Sequence, residues 1–293
     1  MQAMPFEDDC SVAFITDLER EARRFEVPFE GGRVVWRRFG QGKPLVLLHG
    51  GHGSWLHWAR NVRPWAAHRA VWVPDLPGYG GSDPPPEPTL RSLLYTTQHT
   101  LSALVGAGTP IDLAGFSFGG LVAAHLALRR RSVTRLALLG PVGHGGPRRP
   151  RGELRSWRQA YEQRDVAALA ELMRHNLWVH MLHHPASAEG LGLRIHTNAC
   201  LKARFHSKPI SRAGGLGECL ARFQGPALLA WGQHDVTADP VQAAAALGGH
   251  RADRQACVIP GAGHWVQFEA ADAVNTLLLR WLEETSDNLQ QET

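Results

Sequence analysis

The chain has 293 residues, 44% hydrophobic and 20% charged, which suits one large soluble α/β domain with room for an inserted subdomain. The net charge of +4 is small, the basic excess is almost all arginine, and no long basic run or nucleic-acid motif occurs, so no nucleic-acid partner is expected. No apolar run approaches the roughly 20 residues that span a bilayer, and Met1 to Glu30 mixes acids and arginines, so neither membrane insertion nor a secretory signal is expected.

In chain order, residues 1–30 read as an N-terminal extension. Val34 to Gly40 reads as an early edge strand ending at a glycine turn. Pro44 to Gly50 is a continuous apolar run that opens into the glycine-rich loop His49-Gly50-Gly51-His52-Gly53. Arg69 to Asp75 is a third strand, followed by the turn-rich Leu76 to Asp83. Asp75 and Asp83 are expected to pin that turn through side-chain to backbone bonds. Pro84 to Pro88 break the chain, and Leu90, Leu93, Leu94, Thr97, Leu101, Leu104 and Val105 then recur at helical spacing.

Pro110 to Ala114 reads as a buried strand, and Leu121 to Leu128 as a helix. Between them lies Gly115-Phe116-Ser117-Phe118-Gly119-Gly120, a G-x-S-x-G pattern at a strand-to-helix turn. Such a turn holds a serine hydroxyl clear of the backbone at the top of a sheet. Val133 to Leu139, Pro226 to Trp231 and Ala256 to Ile259 supply further apolar strands, and Val274, Leu277, Leu278, Trp281 and Leu282 mark a last amphipathic helix. Uniformly apolar strands alternating with helices imply a mostly parallel, doubly wound sheet covered on both faces. Residues 142–212 break this rhythm and turn helical, which suggests a cap inserted into a core of residues 31–141 and 213–285. Residues 286–293 read as a tail.

A serine needs a base to take its proton and a third group to orient that base. His264, in Gly263-His264-Trp265, follows the last strand, and Asp235, in Gly232-Gln233-His234-Asp235, follows the strand before it. Both therefore sit at the sheet edge that carries Ser117; Asp239 is an alternative to Asp235. The order Ser117, Asp235, His264 is that of α/β-hydrolases. The two N–H donors for a developing oxyanion are expected from Phe118 and Gly51. Phe116, His52 and Trp265, beside the nucleophile, the glycine loop and the base, are candidates for substrate contact. His49 reads as a structural residue. His180, His183 and His184 fall at i, i+3 and i+4 on a helix, but no carboxylate or cysteine completes a ligand set, so neither metal nor organic cofactor is expected. Cys10, Cys200, Cys219 and Cys257 have no C-x-x-C spacing and read as free thiols in a reducing cytoplasm. The partner expected is a small-molecule substrate, with the oligomeric state, a homodimer included, left open.

These segments together resemble an α/β-hydrolase-fold serine hydrolase with a helical cap, over about Val34 to Leu282. His49 to Ser54 resembles the family's oxyanion loop and Asp75 to Asp83 its D-x-P-G-x-G-x-S turn. Gly263 to Glu269 with Ala271, Asp272 and Asn275, and Arg60-Asn61-Val62, are similar to the meta-cleavage-product hydrolase and carboxylesterase branch. That branch places a substrate-gripping cap arginine where Arg204 lies. It also has an asparagine before the nucleophile, where this chain has Phe116. The resemblance therefore implies ester cleavage through an acyl-enzyme, with C–C bond hydrolysis of a dienoate, or ligand binding without catalysis, as alternatives.

Overall fold

A computed structural model describes residues 9–248 and 251–291, with side chains through Glu284. The elements follow in order: α1 (Asp9–Glu21), β1 (Arg23–Phe29), β2 (Gly32–Phe39), β3 (Pro44–Leu48), α2 (Val62–Ala66), β4 (Ala70–Pro74), α3 (Leu90–Val105), β5 (Ile111–Phe116), α4 (Phe118–Arg129) and β6 (Val133–Leu139). Five helices then intervene: α5 (Arg158–Glu162), α6 (Val166–Met181), α7 (Gly190–Lys202), α8 (Lys208–Arg212) and α9 (Leu216–Arg222). The chain returns with β7 (Ala227–Gly232), α10 (Pro240–Gly248), β8 (Arg254–Ile259), α11 (Val266–Glu269) and α12 (Ala271–Gln291). Among the described residues no helix is long and apolar enough to cross a membrane.

The eight strands form one sheet in the order β1-β2-β4-β3-β5-β6-β7-β8. The β1–β2 and β2–β4 pairs are antiparallel, and from β4 to β8 every pair is parallel. β4, β5 and β7 are buried along their whole length, because helices cover both faces of the parallel part. α4 is buried on nearly every side, which explains its lack of a polar stripe. The fold is therefore the α/β arrangement expected.

Two boundaries differ from the sequence reading. β2 is not an edge strand: β1 pairs with it through a tight connection at Gly31, whose φ is 92°, so the sheet starts at Arg23 inside the segment read as an extension. β1 alternates charge with partial burial and contains Pro28, a combination that an outermost strand tolerates and that hides its strand character. Residues 1–8 of that segment lie outside the described residues. At the other end α12 runs through Gln291, across most of the segment read as a tail; residues 292–293 lie outside the described residues.

Asp112, at the start of β5, is the ionic centre of the sheet's lower edge. Its buried carboxylate accepts from Lys43 (3.1 Å), Arg69 (3.0 Å), Arg135 (3.2 Å) and the Thr134 hydroxyl (2.6 Å). Removing the negative charge leaves buried cations unmatched. Asp112→Asn is expected to lower unfolding free energy by about 3–5 kcal/mol. Urea titration checks this, and an unchanged midpoint would refute the assignment.

Candidate active site

The turn after β5 is built around two missing side chains. A Cβ on Gly115 would lie 2.3 Å from the Gly119 carbonyl oxygen, and one on Gly119 would lie 2.3 Å from that of Leu48. Strand and helix meet so closely that the residue between them takes φ 53°, ψ −117°, and that residue is Ser117. Positive φ is costly for a serine. It is held by Ser117 N–H donating to Leu139 O (2.9 Å), and by Gly120 N–H and Val142 N–H donating to Ser117 O (3.0 and 3.2 Å).

His264 and Asp235 come to this hydroxyl from the loops after β8 and β7. Ser117 Oγ lies 2.9 Å from His264 Nε2, and His264 Nδ1 lies 2.8 Å from Asp235 Oδ2. His264 is 2% exposed and Asp235 not at all, so water does not compete for these bonds. With Nδ1–H donating to the carboxylate, Nε2 is left to accept the serine proton. Burial alone would raise the Asp235 pKa, but His264 and hydrogen bonds from Thr237 outweigh it and hold the carboxyl below its usual range. Thr237 donates its N–H to Asp235 Oδ1 (2.7 Å) and places its hydroxyl 3.1 Å from His264 Nδ1. Asp239, the alternative acid, instead caps α10 by accepting from Gln242 N–H (3.1 Å). Gly140 explains the fit: a Cβ there would sit 3.1 Å from both Asp235 Oδ2 and His264 Nδ1.

Gly51 and Phe118 both line the cavity at Ser117. Phe118 opens α4, where backbone N–H groups have no intrahelical acceptor and the helix dipole favours negative charge. The glycine loop is held by two histidines. Leu76 N–H donates to His49 Nε2 (2.9 Å), so His49 Nδ1–H donates to Gly50 O (2.8 Å). Gly50 N–H donates to His57 Nδ1 (3.2 Å). Complete burial pushes His57 well below the usual histidine range, so it stays neutral. Asp75 and Asp83 pin their turn as expected: Asp75 accepts from Trp55 N–H (3.0 Å) and Gly81 N–H (3.1 Å), and Asp83 from Arg33 N–H (3.0 Å).

The cavity above Ser117 has a volume of about 540 Å³. Phe116 and His52 line it, and the Phe116 ring lies 5.0 Å from that of His264. Two expected contacts are corrected. Trp265 is fully buried behind the wall, stacking on Phe268 at 4.2 Å and donating its indole N–H to His57 O (2.9 Å). It positions His57 and does not reach the cavity. Arg204 is exposed and away from the cavity, its guanidinium donating to Ser82 O and its N–H to Gly78 O (2.8 Å). Its neighbour Phe205 turns inward onto Tyr79 and Phe118, and adjacent residues of an extended segment face opposite ways.

Sequence reasoning missed His57, Thr237, and the cavity residues His180, His196 and Ser207. Thr237 had a signal in its place two residues past the acid. The others come from segments without motif. Cys200 is no rival nucleophile, since burial pushes its thiol up to about 12. Among the described residues no group of three or more His, Cys, Asp or Glu could hold a metal ion.

The sequence profile described as alpha/beta hydrolase fold matches residues 43–271. The chain belongs to this family. As a member of the α/β-hydrolase family it has relatives that are named hydrolases. It is 29% identical over 265 residues to a 2-hydroxy-6-oxo-6-phenylhexa-2,4-dienoate hydrolase of Burkholderia cepacia, covering 85% of this chain and 91% of that one. Among solved structures it resembles a meta-cleavage product hydrolase from Pseudomonas fluorescens IP01, with TM-score 0.69, 21% identity, and coverage of 91% of this chain and 99% of that one. It also resembles naproxen esterase from Bacillus subtilis, with TM-score 0.71, 21% identity and coverage of 95% and 100%. At such identities these two likenesses show the fold. The segments that carried the resemblance bind each other: Asn61 donates to Gln267 O (3.0 Å) and Asn275 Oδ1 (2.8 Å), and Arg60 to Phe268 O (2.9 Å).

Glu269 joins the inserted helices to the base loop. Its carboxylate accepts N–H bonds from Gly263 (2.7 Å), His183 (2.8 Å) and His184 (2.8 Å). His183 and His184 thus end α6 against this carboxylate. Glu269→Gln removes acceptor capacity that two chain segments share, and is expected to cost about 1–3 kcal/mol. Thermal and urea midpoints check this; no loss of stability would contradict the clamp.

Proposed function

We propose that this α/β-hydrolase cleaves a carboxylic ester of a small or medium, partly apolar substrate through an acyl-enzyme. The observation that carries the reading is the bonded series Asp235, His264, Ser117 opening onto the cavity. Ser117 Oγ attacks the ester carbonyl while His264 Nε2 takes its proton, and Asp235 steadies the imidazolium. Negative charge gathers on the carbonyl oxygen and is met by the Phe118 and Gly51 N–H groups. His264 then returns the proton to the leaving alcohol. In the second half a water gives its proton to His264 and attacks the acyl carbon, and His264 passes that proton to Ser117 Oγ as the acyl–oxygen bond breaks and the acid leaves. Every group in this scheme comes from one chain.

We read residues 142–212 as a cap roofing the cavity, and the free cysteines as suited to a reducing cytoplasm. Ester cleavage is favoured over C–C hydrolysis because Phe116 offers no polar group beside the nucleophile, and because Arg204 faces away from the cavity. Turnover of p-nitrophenyl esters against a ring-cleavage dienoate separates the two. Ester turnover is expected to vanish to background in Ser117→Ala and to fall by about four orders of magnitude in kcat for Asp235→Asn, which leaves His264 without its orienting anion. Both variants should keep the wild-type thermal midpoint within a few degrees, by about the 2–4 °C that 1 kcal/mol moves a large domain. Full activity in Ser117→Ala would refute the reading, and binding without turnover by the wild type would favour the non-catalytic alternative.

A further inference from the structure

The same cavity carries five cationic side chains, Arg148, Arg149, Arg151, Lys208 and Arg212, and among the described residues no aspartate or glutamate lines it. This departs from the chain as a whole, whose 31 basic and 27 acidic residues nearly balance. Elsewhere many arginines pair with carboxylates, Arg37 with Glu19 and Asp75, Arg63 with Glu21, Arg69 and Arg135 with Asp112, Arg251 with Asp253, while others, such as Arg60 and Arg130, donate to backbone carbonyls. Among the described residues, the one cavity cation with a carboxylate within reach is Arg149, with Asp239 at 4.0 Å. The other four make no ion pair among the described residues.

The cations come from two separate segments. Arg148, Arg149 and Arg151 lie in the irregular stretch between β6 and α5, and Lys208 and Arg212 bound α8. They converge at the exposed mouth, while Phe116, His57 and Met181 make the buried wall near Ser117. Arg148, Ser211 and Arg212 also line an adjoining recess of about 250 Å³ with Gly143 and Gly145. The inner histidines add no charge: burial pushes His180 down to about 3 and His196 to about 4. The cavity is thus neutral where the carbonyl must sit and cationic at its mouth. Like charges gathered in a cleft repel one another and focus an attractive field on an anion.

We propose that the substrate is an ester bearing an acid group, a carboxylate arm held at the mouth by Arg148 and Arg212 while its ester carbonyl reaches Ser117. The inference rests on the ester-hydrolase reading and adds the substrate's charge. These cations are distinct from Arg204, which is turned away. A guanidinium pair suits a carboxylate because its planar donors match two oxygens at once.

Three p-nitrophenyl esters of equal acyl length test this, ending in carboxylate, methyl or trimethylammonium. The expected order of kcat/KM is carboxylate, methyl, trimethylammonium, with the first exceeding the second by at least about ten-fold, mostly through KM. The advantage should shrink as ionic strength rises from about 10 mM to about 0.5 M. In the double variant Arg148→Gln, Arg212→Gln the carboxylate-to-methyl ratio is expected to fall towards unity. Because the readout is a ratio within one preparation, partial misfolding does not imitate it. Equal turnover of the three esters by the wild type, or an undiminished ratio in the double variant, overturns the anion inference and leaves ester hydrolysis standing. Failure to turn over any of them overturns the ester reading itself.

Discussion

The whole site depends on how closely β5, α4 and the end of β3 approach one another. At Gly115 and Gly119 backbone carbonyls occupy the space a Cβ would need, at 2.3 Å in each case. That contact makes the turn so sharp that Ser117 is forced to positive φ, at a cost of about 1–3 kcal/mol. The strain persists because both flanks are buried and hydrogen-bonded and have nowhere to relax. Its product is a hydroxyl standing beyond the sheet edge, next to the first N–H groups of a helix. A looser turn would fold more easily and would bury the hydroxyl in the sheet.

The remaining parts are arranged to meet that fixed point. The loops after β7 and β8 lie beside it because the strands are parallel, so their ends emerge at one edge. Three glycines make the meeting sterically feasible: Gly140 beside the Asp235–His264 pair, Gly232 against the Gly263 carbonyl, and Gly263 against Leu182 and His183. Glu269 ties this base loop to the end of α6. Trp265 N–H adds a direct bond to Met181 O (2.7 Å), so the end of α6 and the loop that carries His264 are positioned together.

The parts legible in the sequence were those with local chemical cause. The elbow, the glycine loop, the aspartates of the β4 turn and the placement of Asp235 and His264 each follow from short patterns whose spacing the backbone dictates. β1 was not legible because its alternation, Phe25, Val27 and Phe29 against Arg24, Glu26 and Pro28, is short and carries charges and a proline that an outer strand tolerates. Trp265 was set near the site by its place beside His264 and Arg204 by the family resemblance, and both were misplaced because the direction of a side chain depends on packing partners far along the chain. Trp265 turns to His57 and Phe268, and Phe205 claims the inward position beside Arg204. Of the cationic mouth the sequence showed only the short cluster Arg148, Arg149 and Arg151, which reads as a solvated loop in a Pro/Gly-rich stretch, since Lys208 and Arg212 join it by tertiary structure alone.

We propose that Ser117 is the one nucleophile of this cavity, activated by His264 and facing the N–H groups of Gly51 and Phe118. The most direct test is reaction with a fluorophosphonate followed by peptide mass mapping and a structure of the adduct. A single phosphonyl group is expected on Ser117 Oγ, with its P=O oxygen within hydrogen-bond distance of both N–H groups. An unmodified Ser117, modification at another residue, or a P=O oxygen turned away from Gly51 and Phe118 would contradict the proposal.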